Sequence, residues 1–362
     1  MLKKHKTFRS YQEQILFMRE RGIEVPDEQA AIESLSTFSY YSLVNLNKHL
    51  YGGLDLRHFA GGPSIVDLQL AHMLNMNFYQ TVLKGILYVE ASFKTKLAYL
   101  ISRKFGSASR DDIDNARDNY LFRGYYDPRN KQTTGTLRSL RNKLKLLRAP
   151  SNIHSYSHHF LTGNRQLPPW IFIHDVEFGL AIQWFNILRK HDQEEVLKKM
   201  LWGETSYEDK APLTEDDEQF FDAALDILRQ YRNIIAHGER VFESEITNAL
   251  PELSLFSILP ESVLSQEEYD QGIGRNDPFA CLLAIVLFTH EPILMLSFLT
   301  ELQSQLDFAQ LMKETMAPGS LDIHTLLGIP PFTMERLIAI SHHRFGELSR
   351  AFFNPTRRPE PS

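Results

Sequence analysis

A chain of 362 residues, 43% hydrophobic and 23% charged, has ordinary globular composition and can bury a large core without disulfide or metal staples. Its single cysteine, Cys281, excludes an intramolecular disulfide and any cysteine-based metal site, and fits a reducing, cytoplasmic setting. A net charge of −6 excludes whole-molecule attraction to nucleic acid as a driving force for binding.

The N-terminal stretch MLKKHKTFRSYQEQ is basic but runs into no apolar core, so no secretory signal is expected. Ser10, with Glu13 three residues on, predicts a capping box and a helix ending at Gly22. A second helix is expected from near Asp27 to Tyr40-Tyr41. Glycines and a proline between Tyr51 and Pro63 mark a loop. Ser64, with Asp67 completing its cap, opens a long helix. Leu70, Leu74, Phe78, Val82, Ile86, Val89, Phe93, Leu97 and Leu100 recur in it at spacings of three and four until Gly106. A helix of this length needs partners along most of its surface, which points to a bundle.

A polar, turn-rich stretch reaches about Gly135. Leu137, Leu140, Leu144 and Leu147 then form one apolar stripe in a helix that Pro150 terminates. Pro168-Pro169-Trp170 opens a helical run through Leu188. Thr214 caps a further helix whose acidic first turn suits the dipole; its buried stripe is Phe221, Leu225, Leu228, Tyr231 and Ile235, and Gly238 ends it. Residues 242–278 read as irregular, broken by Pro251, Pro260 and Pro278. A helix over Phe279–Gln305 and smaller ones near 306–316 and 332–351 complete an all-α fold, with 354–362 a disordered tail. Phe279–Leu299 resembles a membrane span, but His290, Glu291 and Pro292 near its middle favour a buried core helix. No strand-like alternation persists and no internal repeat is present.

Charge is unevenly distributed. Between Pro128 and His174 there is no acidic residue, while Arg129, Lys131, Arg138, Arg141, Lys143, Lys145, Arg148 and Arg165 all fall inside; from Asp192 to Asp226 the balance reverses. The basic face of the 137–148 helix, Arg138, Arg141, Lys143, Lys145 and Arg148, is a candidate RNA-backbone surface, the bland alternative being a solvated helix face. Tyr125 and Tyr126 nearby are candidates to stack bases or simply to pack.

Arg232 and His237 end the Thr214 helix. Metal-independent RNA cleavage needs a base for the ribose 2′-OH and a cation for the charge that develops on the phosphate oxygens. Histidine titrates nearest neutrality and arginine offers a donor fork suited to phosphate. The spacing alone is weak, since Arg148/His154 and Arg336 with His342 or His343 approach it. Asn233, directly after the arginine, small Ala236 and the amphipathic helix beneath strengthen it.

Arg21-Gly22-Ile23 with Asp27 and Tyr40-Tyr41, EASFKTKLAYLISRKFG from Glu90 to Gly106, Pro168-Pro169-Trp170 with Phe178-Gly179, RNIIAHGER from Arg232 to Arg240, and Leu327-Gly328-Ile329-Pro330 stand in order over most of residues 7–335. In these blocks the sequence resembles the Abi-type abortive-infection family, AbiD/AbiF-like, a branch of the HEPN superfamily. The resemblance implies a HEPN-like helical bundle, homodimerisation that joins two motifs in one cleft, and phage defence by RNA cleavage. By the same resemblance Arg232 and His237 are the catalytic pair and Asn233 their polar neighbour. Glu90 would orient the arginine, and Arg240 would be a basic accessory. The sequence departs from the family pattern at Lys94, where arginine is common, at Gly238, where a second histidine is frequent, and at Glu177, where a small residue is usual.

The division expected from these readings is an N-terminal helical segment (1–62), a HEPN-like core (63–245) with a basic insertion (107–167), and a C-terminal extension (246–353) packed on that core. His154, His158 and His159, or His342 and His343, have ligand-like spacing but no cysteine or carboxylate beside them, so neither metal nor cofactor is expected. No Gly-rich phosphate loop or nucleophile-elbow serine is present. The leading reading is a cytoplasmic, homodimeric endoribonuclease acting on RNA, open to restraint by an RNA or protein antagonist and not membrane-bound. Its rival is a non-catalytic RNA- or protein-binding module of a defence or toxin–antitoxin-like system.

Overall fold

Helix boundaries follow from local chemistry at many points along the chain. A computed structural model describes residues 8–51, 58–107, 119–147, 157, 158, 160, 161, 166–238, 246–315 and 322–353. The helices are α1 (Tyr11–Glu20), α2 (Glu28–Tyr40), α3 (Ile65–Phe105), α4 (Thr133–Leu147) and α5 (Pro169–Phe172). Next come α6 (Phe178–Asn186), α7 (Lys190–Trp202), α8 (Glu215–Ala236), α9 (Glu252–Ile258) and α10 (Gln266–Asp270). The chain continues with α11 (Pro278–Phe288), α12 (Pro292–Thr315), α13 (Ile323–Leu327), α14 (Thr333–Phe345) and α15 (Glu347–Phe353). Among the described residues there is no strand, only an isolated bridge between Glu24 and Ser64, so the fold is all-α.

Ser10, Ser64 and Thr214 each accept from the backbone N–H three residues on, and Glu13, Asp67 and Asp217 accept in return from the capping residue. Each box satisfies orphan donors that would otherwise fray the first turn. Gly106 and Gly238 end α3 and α8 at φ +85° and +64°, where a side chain would be strained.

The 41 residues of α3 form the axis of the molecule. It packs against α5, α6, α7, α8, α11, α12 and α13. Along its middle only a narrow stripe, Gln80, Leu87, Ala91, Thr95 and Tyr99, is exposed. The first turns of α3 close a separate small core with α1 and α2, built on Ile15, Met18, Leu35, Leu43 and Leu68. The remainder of α3 belongs to one large core that also takes in α8, α11 and α12. Gly85 permits the tightest approach: a methyl there would lie 2.6 Å from Phe298 Cε2 and 3.0 Å from Ile285 Cγ2.

Several expected elements divide. The single helix expected over Phe279–Gln305 breaks at residues 289–291, and α12 instead continues to Thr315, absorbing the separate helix expected at 306–316. Pro292 lacks the N–H that would continue the ladder. Arg344 of α14 caps α11 instead, donating from Nη1 to the Val286 and Leu287 carbonyls at 2.8 and 2.7 Å. Phe279–Phe288 is buried throughout, and among the described residues no helix is long and apolar enough to cross a membrane. The run from Pro168 to Leu188 splits at Val176-Glu177 into α5 and α6. The stretch expected to be irregular, 242–278, contains α9 and α10, whose Pro251 and Ser265 N-caps use turn residues as helix starts. Gly346 at φ +55° divides 332–351 into α14 and α15. The predicted tail 354–362 and Pro150 lie outside the described residues.

Overpacking at Gly85 costs about 1–3 kcal/mol against about 1 kcal/mol of gained helix propensity, and buried Phe298 has no room to retreat. Gly85→Ala is therefore expected to lower Tm by about 2 °C or more in a thermal melt. A second expectation concerns Asp277, the α11 N-cap, whose carboxyl burial pushes up to about 6 against the pull of the N–H groups it accepts from. The folded protein thus holds that proton more tightly than the unfolded chain, so its stability should fall as pH rises from about 4 to about 6. Denaturant titrations across that window should show a shallower decline for Asp277→Asn.

Candidate active site

Helix α8 presents a polar stripe at intervals of three and four residues, Asp226, Gln230, Asn233 and His237, ending at its C-cap. Asp226 organises the start of this stripe. It accepts from Arg229 Nε at 3.0 Å, from Gln230 Nε2 at 2.8 Å and from Asn248 Nδ2 at 2.6 Å. His237 is exposed at the other end, its backbone N–H closing onto the Asn233 carbonyl at 3.1 Å.

Arg232 lies on the flank of α8 that faces α3. Its Nε is buried 3.9 Å from Glu90 Oε2, outside hydrogen-bond reach, and neither atom has a hydrogen-bond partner among the described residues. The outer guanidinium remains accessible, with 37% of the side chain exposed. Its Nη1 stands 3.5 Å from Asn233 Oδ1. Five residues at about 100° each set Arg232 and His237 roughly 140° and about 7.5 Å apart along the helix. Asn233 bridges the gap, touching Arg232 on one side and preceding His237 by one helical turn on the other.

Glu90 is held from the other side by Lys94, whose Nζ donates to Oε1 at 2.5 Å. The two side chains are only 9% and 13% exposed, so this i,i+4 pair is largely desolvated. Lys94 also acts on Glu177, the N-cap of α6. Burial works against the Glu177 carboxylate, yet the hydrogen bond from Lys143, its own backbone N–H and the charges of Lys143 and Lys94 hold it below the usual carboxylate range. Two residues on, a side chain at Gly179 would sit 3.6 Å from Arg229 Cδ, so the start of α6 lies directly against α8. Sequence reading noted Glu177 only as a departure from the family pattern and passed over Asp226 and Arg229, although their i,i+3 spacing was a usable signal.

The basic face of α4 is less free than its local sequence suggested. Lys143 is paired with Glu177, and Arg141 Nη2 donates to the Leu121 carbonyl at 2.9 Å. Arg138 and Lys145 are exposed. Through the Lys143–Glu177 pair this face meets the same α6 terminus that borders Arg229. Tyr125 and Tyr126 pack: Tyr125 stacks on Phe105 at 4.8 Å, and buried Tyr126 donates to the Tyr120 carbonyl at 2.7 Å. His158 hydrogen-bonds the Leu147 carbonyl at 2.9 Å. Arg148, Arg240, His154 and His159 lie outside the described residues. Among the described residues no three His, Cys, Asp or Glu side chains stand together as a metal site.

The family described as Abi-like protein matches residues 33–243, more than half of the chain. None of the curated proteins and none of the solved structures compared with the chain matches it.

Removing one member of a desolvated ion pair leaves the other buried without compensation. Lys94→Met is expected to cost about 3 kcal/mol in chemical denaturation, and adding Glu90→Gln should recover most of that loss. A double variant as unstable as the single one would show that a stranded Glu90 charge is not the source of the loss.

Proposed function

The chain belongs to the Abi-like protein family, and from that premise we propose that it is a metal-independent endoribonuclease of the HEPN type, AbiD/AbiF-like in subtype. Family membership supports a role in abortive infection. The observation that carries the nuclease reading is the Arg232–Asn233–His237 arrangement. The arginine Nε lies 3.9 Å from a buried carboxylate with 37% of the side chain exposed, and an exposed imidazole stands five residues further along the same helix end.

In this reading His237 takes the proton from a ribose 2′-OH and the freed oxygen attacks phosphorus. The P–O5′ bond breaks, leaving a 2′,3′-cyclic phosphate, and an imidazolium returns a proton to the departing O5′. The Arg232 fork stabilises the charge that builds on the non-bridging oxygens. Asn233 orients the phosphate, while Glu90 and Lys94 fix the arginine; Arg240 is a further basic contact. The divergence of Arg232 and His237 around one helix favours a homodimer in which two motifs share a cleft, one supplying the base and the other the acid. Arg138, Arg141, Lys143, Lys145 and Arg148 would track the RNA backbone toward that cleft. We assign the protein to the cytoplasm, and its activity to restraint by an RNA or protein antagonist.

Exposed Arg138 and Lys145 favour, as second reading, a non-catalytic RNA-binding module. One assay separates the two. Wild type, Arg232→Ala and His237→Ala are incubated with RNA in EDTA, with product ends analysed. The nuclease reading expects cyclic-phosphate ends and losses of about 100-fold or more in both variants. Equal cleavage by all three overturns the assignment, and RNA binding without cleavage by wild type establishes the second reading.

A further inference from the structure

Glu90 and Lys94 lie on one flank of the exposed stripe of α3, and Tyr88, Ser92 and Lys96 lie on the other, roughly 200° around the helix. These three residues line a cavity of about 770 Å³, within the range of small-molecule sites. Its other walls come from the C-terminal ends of α7, α9, α11 and α14, the start of α12 and the loop holding Lys210.

The cavity lining carries three cations, Lys96, Lys210 and Arg344, against two carboxylates, Glu204 and Glu291. Lys96 donates to Ser92 Oγ at 2.7 Å and has no ion-pair partner among the described residues. Lys210 is exposed at the rim and likewise unpaired among the described residues. Arg344 is half-buried in the wall; beyond the two α11 carbonyls, its Nη2 reaches the Leu201 carbonyl at 3.3 Å and the His290 ring at 3.4 Å. The C-terminal dipoles of α7 and α11 absorb part of the Arg344 charge, and Lys96 is attracted by Glu204 without forming an ion pair among the described residues. Both carboxylates lining the cavity are already engaged. Glu204 accepts from Lys199 at 2.6 Å, and Glu291 accepts from the Leu294 N–H at 2.6 Å.

Burial lowers the Lys96 ammonium below the usual lysine range, with attraction from Glu204 working against it and Lys199 adding repulsion. Burial likewise pushes Arg344 down to about 10. Burial, then the Arg344 charge, pushes His290 down to about 4, so at neutral pH its ring is an uncharged partner. A cation held out of water without a counter-charge is a cost that a bound anion relieves. Half-buried Trp202 and Tyr88 add aromatic surface beside these cations.

We propose that this cavity is a binding site for a nucleoside phosphate, with Lys96 and Lys210 holding the phosphate in the field of Arg344 and the base lying against Trp202 and Tyr88. Aromatic faces accept any base, so the phosphate and the stacking set affinity and base identity matters less. The site is separate from Arg232, which lies against the other flank of α3.

Isothermal titration of the full chain with AMP, GMP, CMP and UMP tests it, with inorganic phosphate and adenosine as controls. Saturable binding is expected for at least one nucleotide, with adenosine and inorganic phosphate each at least tenfold weaker. Lys96→Gln keeps a hydrogen-bonding group for Ser92 and removes an uncompensated charge, so it should fold and bind at least tenfold more weakly; Lys210→Gln should do the same. Arg232→Ala should bind as wild type. No saturable binding by any nucleotide, binding indifferent to Lys96→Gln, or binding abolished by Arg232→Ala overturns the proposal.

Discussion

The constraint on which the rest depends is the burial of α3 along nearly its whole length. Most of the stability of this 41-residue helix comes from the elements packed around it. Helices α5, α6, α7, α8, α11, α12 and α13 pack against it, so the positions of the C-terminal helices and of α8 are set by the same surface. Gly85 shows how closely that surface is fitted. Phe298 and Ile285 occupy the space a side chain would need, and the helix gives up propensity there to let α11 and α12 close.

Burying such a helix also buries whatever polar groups it carries, and these are where chemistry collects. Glu90 and Lys94 neutralise each other on the flank that receives α8, and Glu90 then stands opposite the Arg232 Nε. A surface ion pair of the same composition would contribute little and would not hold a guanidinium in place. Here the low exposure of both partners makes the pair expensive to break. On the other flank Lys96 hydrogen-bonds a serine hydroxyl and feels Glu204 without pairing with it, and the remaining charge imbalance is what a ligand would correct.

The α6 terminus ties these parts together. Val176 and Glu177 leave the helical region before α6 begins, which brings Glu177 beside Lys143 and Gly179 beside Arg229. The basic face of α4 falls into two populations. Lys143 and Arg141 are spent on local structure, while Arg138 and Lys145 stay in water. A count of basic residues therefore overstates the charge that α4 offers to a phosphate backbone.

What was legible in the sequence is what local physics decides. Capping boxes at Ser10, Ser64 and Thr214, the apolar period of α3, the stripe of α4 and the left-handed stops at Gly106 and Gly238 depend on residues within a few positions of one another. The all-α class follows from them. The Arg232–His237 spacing was visible for the same reason, as was its weakness as a signal. Tertiary structure alone decided the breaks and the partners. The Phe279–Gln305 run divides where Pro292 has no N–H for the Phe288 carbonyl, and Arg344, more than fifty residues away, takes the neighbouring Val286 and Leu287 carbonyls. Arg232 meets Glu90, Lys143 meets Glu177 and Lys96 is left without a carboxylate because packing, not sequence neighbourhood, determines which charges share a desolvated space.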